Sequence, residues 1–82
     1  MSSLKETLIR ELSEEIKKGD ARIKQLDKEI DADTFAISTI NGGAFAKSAE
    51  NSCRNRIAKA NMEKTAILKS NAWRREMLTK YK

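Results

Sequence analysis

The chain has 82 residues, which is enough for one small domain. Its residues are 39% hydrophobic, 5% aromatic and 35% charged, and it contains no proline, histidine or valine. A β-rich fold draws on valine, aromatic and turn residues, so this composition excludes one. The single cysteine and the lack of histidine exclude imidazole catalysis, a disulfide framework and a Cys/His zinc site.

The sequence also lacks the usual signals for a membrane or secreted protein. No apolar stretch approaches the ~20 residues that span a bilayer. The N-terminal segment MSSLKETLIREL carries charges where a signal peptide requires an apolar segment. These two observations predict a cytoplasmic protein with no membrane span.

The two halves of the chain carry opposite net charge. Residues 1–43 contain seven Lys/Arg and nine Asp/Glu, a net charge of −2, whereas residues 44–82 contain ten and three, a net charge of +7. Opposite charge favours packing of the two halves against each other. Apolar burial must still provide most of the stability, because surface ion pairs are individually weak.

A seven-residue repeat of isoleucine is the strongest pattern in the first half. Ser3 and Glu6 have the spacing of a capping box, which predicts that a helix begins there. Isoleucine then occupies the a position of five successive heptads, as in a helix with one apolar seam. The a positions are Ile9, Ile16, Ile23, Ile30 and Ile37, and the d positions are Leu12, Gly19, Leu26, Asp33 and Ile40.

Two of the d positions are weak. Glycine in a helix interior costs about 1 kcal/mol relative to alanine, and Gly19 followed by Asp20 has the form of a helix end and a new cap. The heptad phase nevertheless continues through Gly19, which favours one continuous helix. A break near Gly19 or Asp33 remains the alternative, and the helix is predicted to end between Ala32 and Ile40.

Asn41-Gly42-Gly43 is the one strong turn signal, and it lies at the midpoint of the chain. Two arms of equal length joined by a short turn are typical of an antiparallel helical hairpin. We therefore predict an all-α, coiled-coil-like two-helix hairpin as a single domain of residues 1–82. Its first arm covers about 3–40, its turn 41–43 and its second arm about 44–81. We expect it to associate into a bundle, since so small a helical pair is marginally stable alone.

The second arm has two apolar stripes. One contains Ala49, Cys53, Ile57, Ala60, Ile67 and Leu78, and the other contains Met62, Ala66, Trp73, Met77 and Tyr81. The stripes lie more than about 100° apart on a helical wheel, so one neighbouring helix cannot cover both. The first stripe is the natural mate of the isoleucine repeat, which gives this predicted core: Ile9, Leu12, Ile16, Ile23, Leu26, Ile30, Ile37, Cys53, Ile57 and Ile67.

The chain shows no pattern of an enzyme. Cys53 lies in the first stripe without a histidine to activate it, so a buried thiol is expected rather than a nucleophile. The carboxylate pairs Glu14/Glu15 and Asp31/Asp33 match no calcium loop, and Gly42-Gly43 lacks the spacing of a phosphate loop. We expect no catalytic activity, no cofactor and no metal.

The basic end of the second arm is the candidate binding surface. Aromatic residues and arginine dominate binding hot spots in protein interfaces, and basic residues interleaved with aromatics also suit nucleic acid. An acidic protein surface is the first choice and nucleic acid the second, because the acidic first arm would repel phosphate. The predicted partner-binding residues are Lys69, Trp73, Arg74, Arg75, Met77, Lys80 and Tyr81.

Two resemblances bear on function. As a hairpin of heptads able to pair into a four-helix bundle, residues 3–82 look like the plasmid copy-number regulators that bind RNA loop pairs. The polar stretches SAENSCRNRIAKAN and KTAILKSNAWRREMLTKYK, with the chain's length, resemble the cytoplasmic lysis-inhibition proteins (antiholins) of T-even-type phages. The second resemblance implies binding to the cytoplasmic segment of a holin, in the host cytoplasm, without enzymatic work.

From these observations we expect a small protein-binding regulator that forms a homo-oligomer. The alternative is a dimeric helical-bundle protein that binds RNA.

Overall fold

The computed structural model describes residues 3–81 and shows an antiparallel hairpin of two long helices. Helix α1 spans Leu4–Thr39 and helix α2 spans Ala46–Tyr81. The molecule is a rod of 65 × 17 × 13 Å. The predicted all-α hairpin is therefore confirmed. Met1, Ser2 and Lys82, which belong to the predicted domain, lie outside the described residues.

Helix α1 begins at a side-chain cap. The Ser3 hydroxyl accepts a hydrogen bond of 3.1 Å from the backbone N–H of Glu6, which satisfies one of the free donors of the first turn. The helix then runs unbroken through Gly19 and Asp33, so neither residue splits the first arm. Heptad phase thus predicted continuity better than the local propensities of glycine and aspartate did.

The connection between the helices covers residues 40–45 and is longer than the predicted turn. Ile40 closes α1 in an extended conformation, with its N–H donating to the Ile37 carbonyl at 3.2 Å. No non-glycine residue in the described range 3–81 has positive φ, so Asn41 does not adopt the left-handed conformation that its type permits. Phe45 precedes α2 and its side chain is 82% exposed.

The isoleucine repeat of α1 faces α2. Ile16 and Leu26 are buried on α1, and Cys53, Ala60 and Asn71 are buried on α2. The other predicted core residues are half-buried along the interface: Ile9, Leu12, Ile23, Ile30, Ile37, Ile57 and Ile67. Ala49 departs from the first apolar stripe because it is exposed, and the adjoining Ala46 and Glu50 are half-buried in its place.

Ion pairs cross between the middle portions of the two helices. Asp20 pairs with Arg75 at 3.0 Å, and Asp27 pairs with Lys64 at 2.7 Å. The remaining two cross-helix pairs are Asp33 with Arg56 at 2.9 Å and Arg22 with Glu63. Three of the four join an acid of α1 to a base of α2. These three pairs have the sense that the opposite net charges of the two halves predict, although each exposed pair is weak.

Candidate protein-binding surface

Helix α2 carries one seam toward α1 and a second row of residues on its opposite side. The inner face follows a strict 3–4 spacing from Cys53 through Ile57, Ala60, Lys64, Ile67, Asn71, Arg74 and Leu78 to Tyr81. All of these residues are buried or half-buried. The outer face follows the same spacing through Asn55, Lys59, Met62, Ala66, Lys69, Trp73, Glu76 and Lys80, all of them exposed.

The outer face exposes two large apolar side chains. Met62 is 74% exposed and Trp73 is 58% exposed. Between them lie Ala66 and Lys69, and a shallow depression of about 450 Å³ is lined there by Asn61, Met62, Thr65, Ala66 and Lys69. Met62 and Ala66 line this depression together, and Trp73 lies about two turns further along the same face. Exposed apolar residues that are grouped on one face are candidates for a binding surface.

Cations border this apolar strip. Lys59, Lys69 and Lys80 lie on the outer face and make no ion pair among residues 3–81. Glu76 is the one acidic residue of the outer row. The surface therefore combines apolar area with positive charge, which favours a partner that carries acidic groups around an apolar centre.

The structure divides the predicted partner-binding set. Trp73, Lys69 and Lys80 lie on the outer face. Arg74 instead donates to the Asn71 side-chain oxygen at 2.8 Å, and Arg75 pairs with Asp20 across the helices. Met77 and Tyr81 are half-buried, and Tyr81 belongs to the inner row. Two of the predicted cations are therefore engaged within the hairpin.

Asn71 is the main interface residue that the sequence patterns did not identify. Its side chain is 0% exposed, and its amide nitrogen donates to the Ile16 carbonyl at 3.2 Å and to Asp20 Oδ1 at 3.3 Å. A Cβ placed on Gly19 would lie 2.5 Å from that nitrogen. Gly19 thus makes room for a buried amide whose hydrogen bonds are satisfied. A heptad continued from Ile57 through Lys64 to Asn71 would have found it.

A groove between the helices has charged walls. It has a volume of about 450 Å³ and is lined by Arg22, Leu26, Glu29, Ala32, Asp33, Arg56, Lys59, Ala60 and Glu63. The hydrogen bond from Arg22 lowers the pKa of the Glu63 carboxyl below its ordinary 4.5. The hydrogen bond that Arg56 donates to Asp33 raises the pKa of the Arg56 guanidinium. Two ion pairs of the hairpin, Arg22 with Glu63 and Arg56 with Asp33, therefore form part of the walls of the groove.

The one cysteine is enclosed by the hairpin. Cys53 is 5% exposed, and its sulfur accepts a hydrogen bond of 3.3 Å from Arg56 Nη2. Among residues 3–81 no group of three or more His, Cys, Asp or Glu side chains is placed to hold a metal ion.

Neither described helix is long and apolar enough to cross a membrane. No protein-family model, no curated protein and no solved structure matches this chain.

Proposed function

We propose that this protein is a non-enzymatic regulator that binds another protein through the outer face of α2. The exposure of Trp73 and Met62 on the helix face that α1 leaves uncovered carries this proposal. Tryptophan supplies a large, rigid contact area and is enriched in binding hot spots. A hairpin that keeps it in water, while burying an asparagine on the opposite face, leaves that area free for a partner.

A protein partner agrees better with the charges than a nucleic acid does. Arg56, Lys64 and Arg75 are the cations that pair with acids of α1. The carboxylates beside these three cations would repel phosphate. The apolar strip of Met62, Ala66 and Trp73 contributes a term that does not depend on salt.

The specific form of the proposal is lysis inhibition, which rests on the resemblance to antiholins. In that role the outer face of α2 binds the cytoplasmic segment of a holin in one assembly state. A protein that binds one state more tightly shifts the equilibrium toward that state by its differential affinity alone. Delay of lysis would then follow from stoichiometric binding without any catalytic group.

A Trp73→Ala substitution tests the proposal. We expect binding to a soluble holin cytoplasmic segment, measured by calorimetry, to weaken at least tenfold while the circular dichroism spectrum stays helical. Phe35→Ala is the matched control, because Phe35 is 70% exposed and lies on α1. Unchanged affinity of Trp73→Ala would refute the outer face as the binding surface, and loss of helicity would show that Trp73 is part of the core.

Salt dependence separates the two partner classes. For an apolar interface we expect the affinity to change less than about threefold between 50 and 200 mM salt. A phosphate-binding surface with several contacts loses orders of magnitude over the same range. A steep loss of affinity, together with binding to an RNA hairpin, would favour the RNA-binding alternative.

A further inference from the structure

The outer row of α2 has the spacing of a coiled-coil seam. Lys59, Met62, Ala66, Lys69, Trp73 and Glu76 are separated alternately by three and four residues. This spacing keeps a row of side chains on one side of a supercoiled helix. The inner row has the same spacing and is occupied by α1. Every face of an α-helix has such a row, and this one is distinguished by the exposed Met62 and Trp73, which no other part of the described hairpin covers.

The outer row is complementary to itself when it is reversed. Consider two copies of α2 that lie side by side and antiparallel, related by a two-fold axis at the level between Ile67 and Leu68. A residue on one side of that level then lies opposite the residue of the second copy that is equally far on the other side. Met62 then faces Trp73 of a second copy, and Ala66 faces Lys69 of the second copy. The one acid of the row, Glu76, faces Lys59 of the second copy. A two-fold interface requires this kind of self-complementary surface.

We propose that two copies of this chain associate through the outer faces of α2, antiparallel, about this axis. Each α2 then lies between its own α1 and the α2 of the second copy. The symmetry doubles every contact, so two Met62–Trp73 layers and two Lys59–Glu76 pairs form at once. Met62 and Trp73, which are 74% and 58% exposed in the single hairpin, both become covered.

The surface near the axis can accept a second helix. Ala66 and Thr65 are small, and they line the depression of about 450 Å³ beside Met62. Trp73 of the second copy lies over this depression in the proposed pairing. The Lys69 side chain can lay its apolar stem over Ala66 of the second copy and keep its ammonium group in water.

The outer row carries more lysine than acid, but its one acid is placed to pair with a lysine of a second copy. An entirely basic row would repel its own copy, but Glu76 lies at the position that mirrors Lys59. The interface from Lys59 to Glu76 is about 27 Å long at 1.5 Å per residue. It is smaller than a standard protein interface, so we expect a dimer that dissociates at roughly 1–100 μM.

A charge exchange tests the pairing by analytical ultracentrifugation of the full chain. We expect Lys59→Glu and Glu76→Lys each to raise the dimer dissociation constant at least tenfold. The double variant Lys59→Glu/Glu76→Lys should bring it back to within about threefold of the original. Lys47→Glu is the matched control, because Lys47 is exposed near the start of α2, outside the outer row, and should change nothing.

Trp73→Ala provides an independent variant that removes no charge. We expect it to leave a helical monomer at concentrations where the original chain is a dimer. A monomeric original chain at about 500 μM would overturn the proposal. So would a dimer that survives Trp73→Ala, or a double charge variant that remains as dissociated as the single ones.

The dimer also gives the proposed function a means of regulation, an extension that rests on that function. The partner protein and the second copy would occupy the same surface, so they would compete. Adding a holin cytoplasmic segment should convert the dimer into a one-to-one complex. Because the dimer is measured without any partner protein, a failure of either proposal is visible separately.

Discussion

Each face of α2 contains some side chains that do not suit its exposure. The inner face, packed against α1, carries the polar side chains Lys64, Asn71 and Arg74. The outer face, open to solvent, carries Met62 and Trp73. The comparison teaches that α1 decides which individual polar residues of α2 can be covered.

The reason lies in which side chains of α1 lie opposite each turn of α2. The isoleucine repeat supplies apolar area along one stripe, and Gly19 leaves a gap that accepts the Asn71 amide. Acids beside the seam, such as Asp27, meet bases of α2, such as Lys64. Lys64 and Asn71 of the inner face therefore have hydrogen-bond partners on α1, whereas Met62 and Trp73 remain exposed in the described hairpin.

The largest expected effect comes from breaking the inner face at its most buried apolar residue. Leu26 is 1% exposed, so Leu26→Asp places an unpaired charge inside the seam. We expect a loss of roughly 4 kcal/mol or more and a chain that is unfolded at 25 °C by circular dichroism. Leu68→Asp is the control, because Leu68 is 49% exposed. A folded Leu26→Asp variant would show that the seam does not hold the hairpin together.

The next effect concerns the contact between Gly19 and Asn71. Alanine at position 19 gains about 1 kcal/mol of helix propensity, but its Cβ would lie 2.5 Å from the Asn71 amide nitrogen. We expect Gly19→Ala to destabilise by about 1–3 kcal/mol in chemical denaturation. Adding Asn71→Ala should recover at least half of that loss.

Gly42→Ala is the matched control for this contact. No atom lies within 4 Å of a Cβ placed on Gly42. The free energy of unfolding of the Gly42→Ala variant should stay within about 0.5 kcal/mol of that of the original chain. A Gly19→Ala variant more stable than the original chain would mean that propensity outweighs the steric conflict and that Asn71 can move aside.

The smallest effect is the pH dependence of the cross-helix ion pairs. The pKa of Glu63 is lowered in the folded chain by Arg22, relative to its ordinary 4.5. The folded carboxylate therefore contributes stability above pH 4.5, and this contribution is lost as pH falls through the folded pKa. We expect Glu63→Gln to lower the melting temperature slightly at pH 7 and to lower it progressively less as the pH falls below 4.5. An equal decrease at neutral and acidic pH would show that the pair does not stabilise through charge.

Several features could be read from residues that are close in sequence. The Ser3 cap depends on a hydrogen bond to a residue three positions away. The continuity of α1 through Gly19 follows from a repeat that contains Ile16 and Ile23. The exposure of Trp73 was anticipated, because one helix cannot cover two stripes on opposite sides of α2.

The sequence patterns did not identify the polar part of the interface. Lys64, Asn71 and Arg74 follow the heptad, but a search for apolar residues passes over them. The assignment of Arg74 and Arg75 to a free binding surface overlooked Asn71 and Asp20, which lie close to them only after the chain folds back.

By itself the sequence determined the helical class, the position of the turn and the apolar seam of α1, because periodicity and turn chemistry are local properties. Only the tertiary structure decided which face of α2 is covered and which cations remain free. Those outcomes depend on the register of two helices, in which Gly19 meets Asn71 and Asp20 meets Arg75. Register is fixed by the sum of many weak contacts between distant residues.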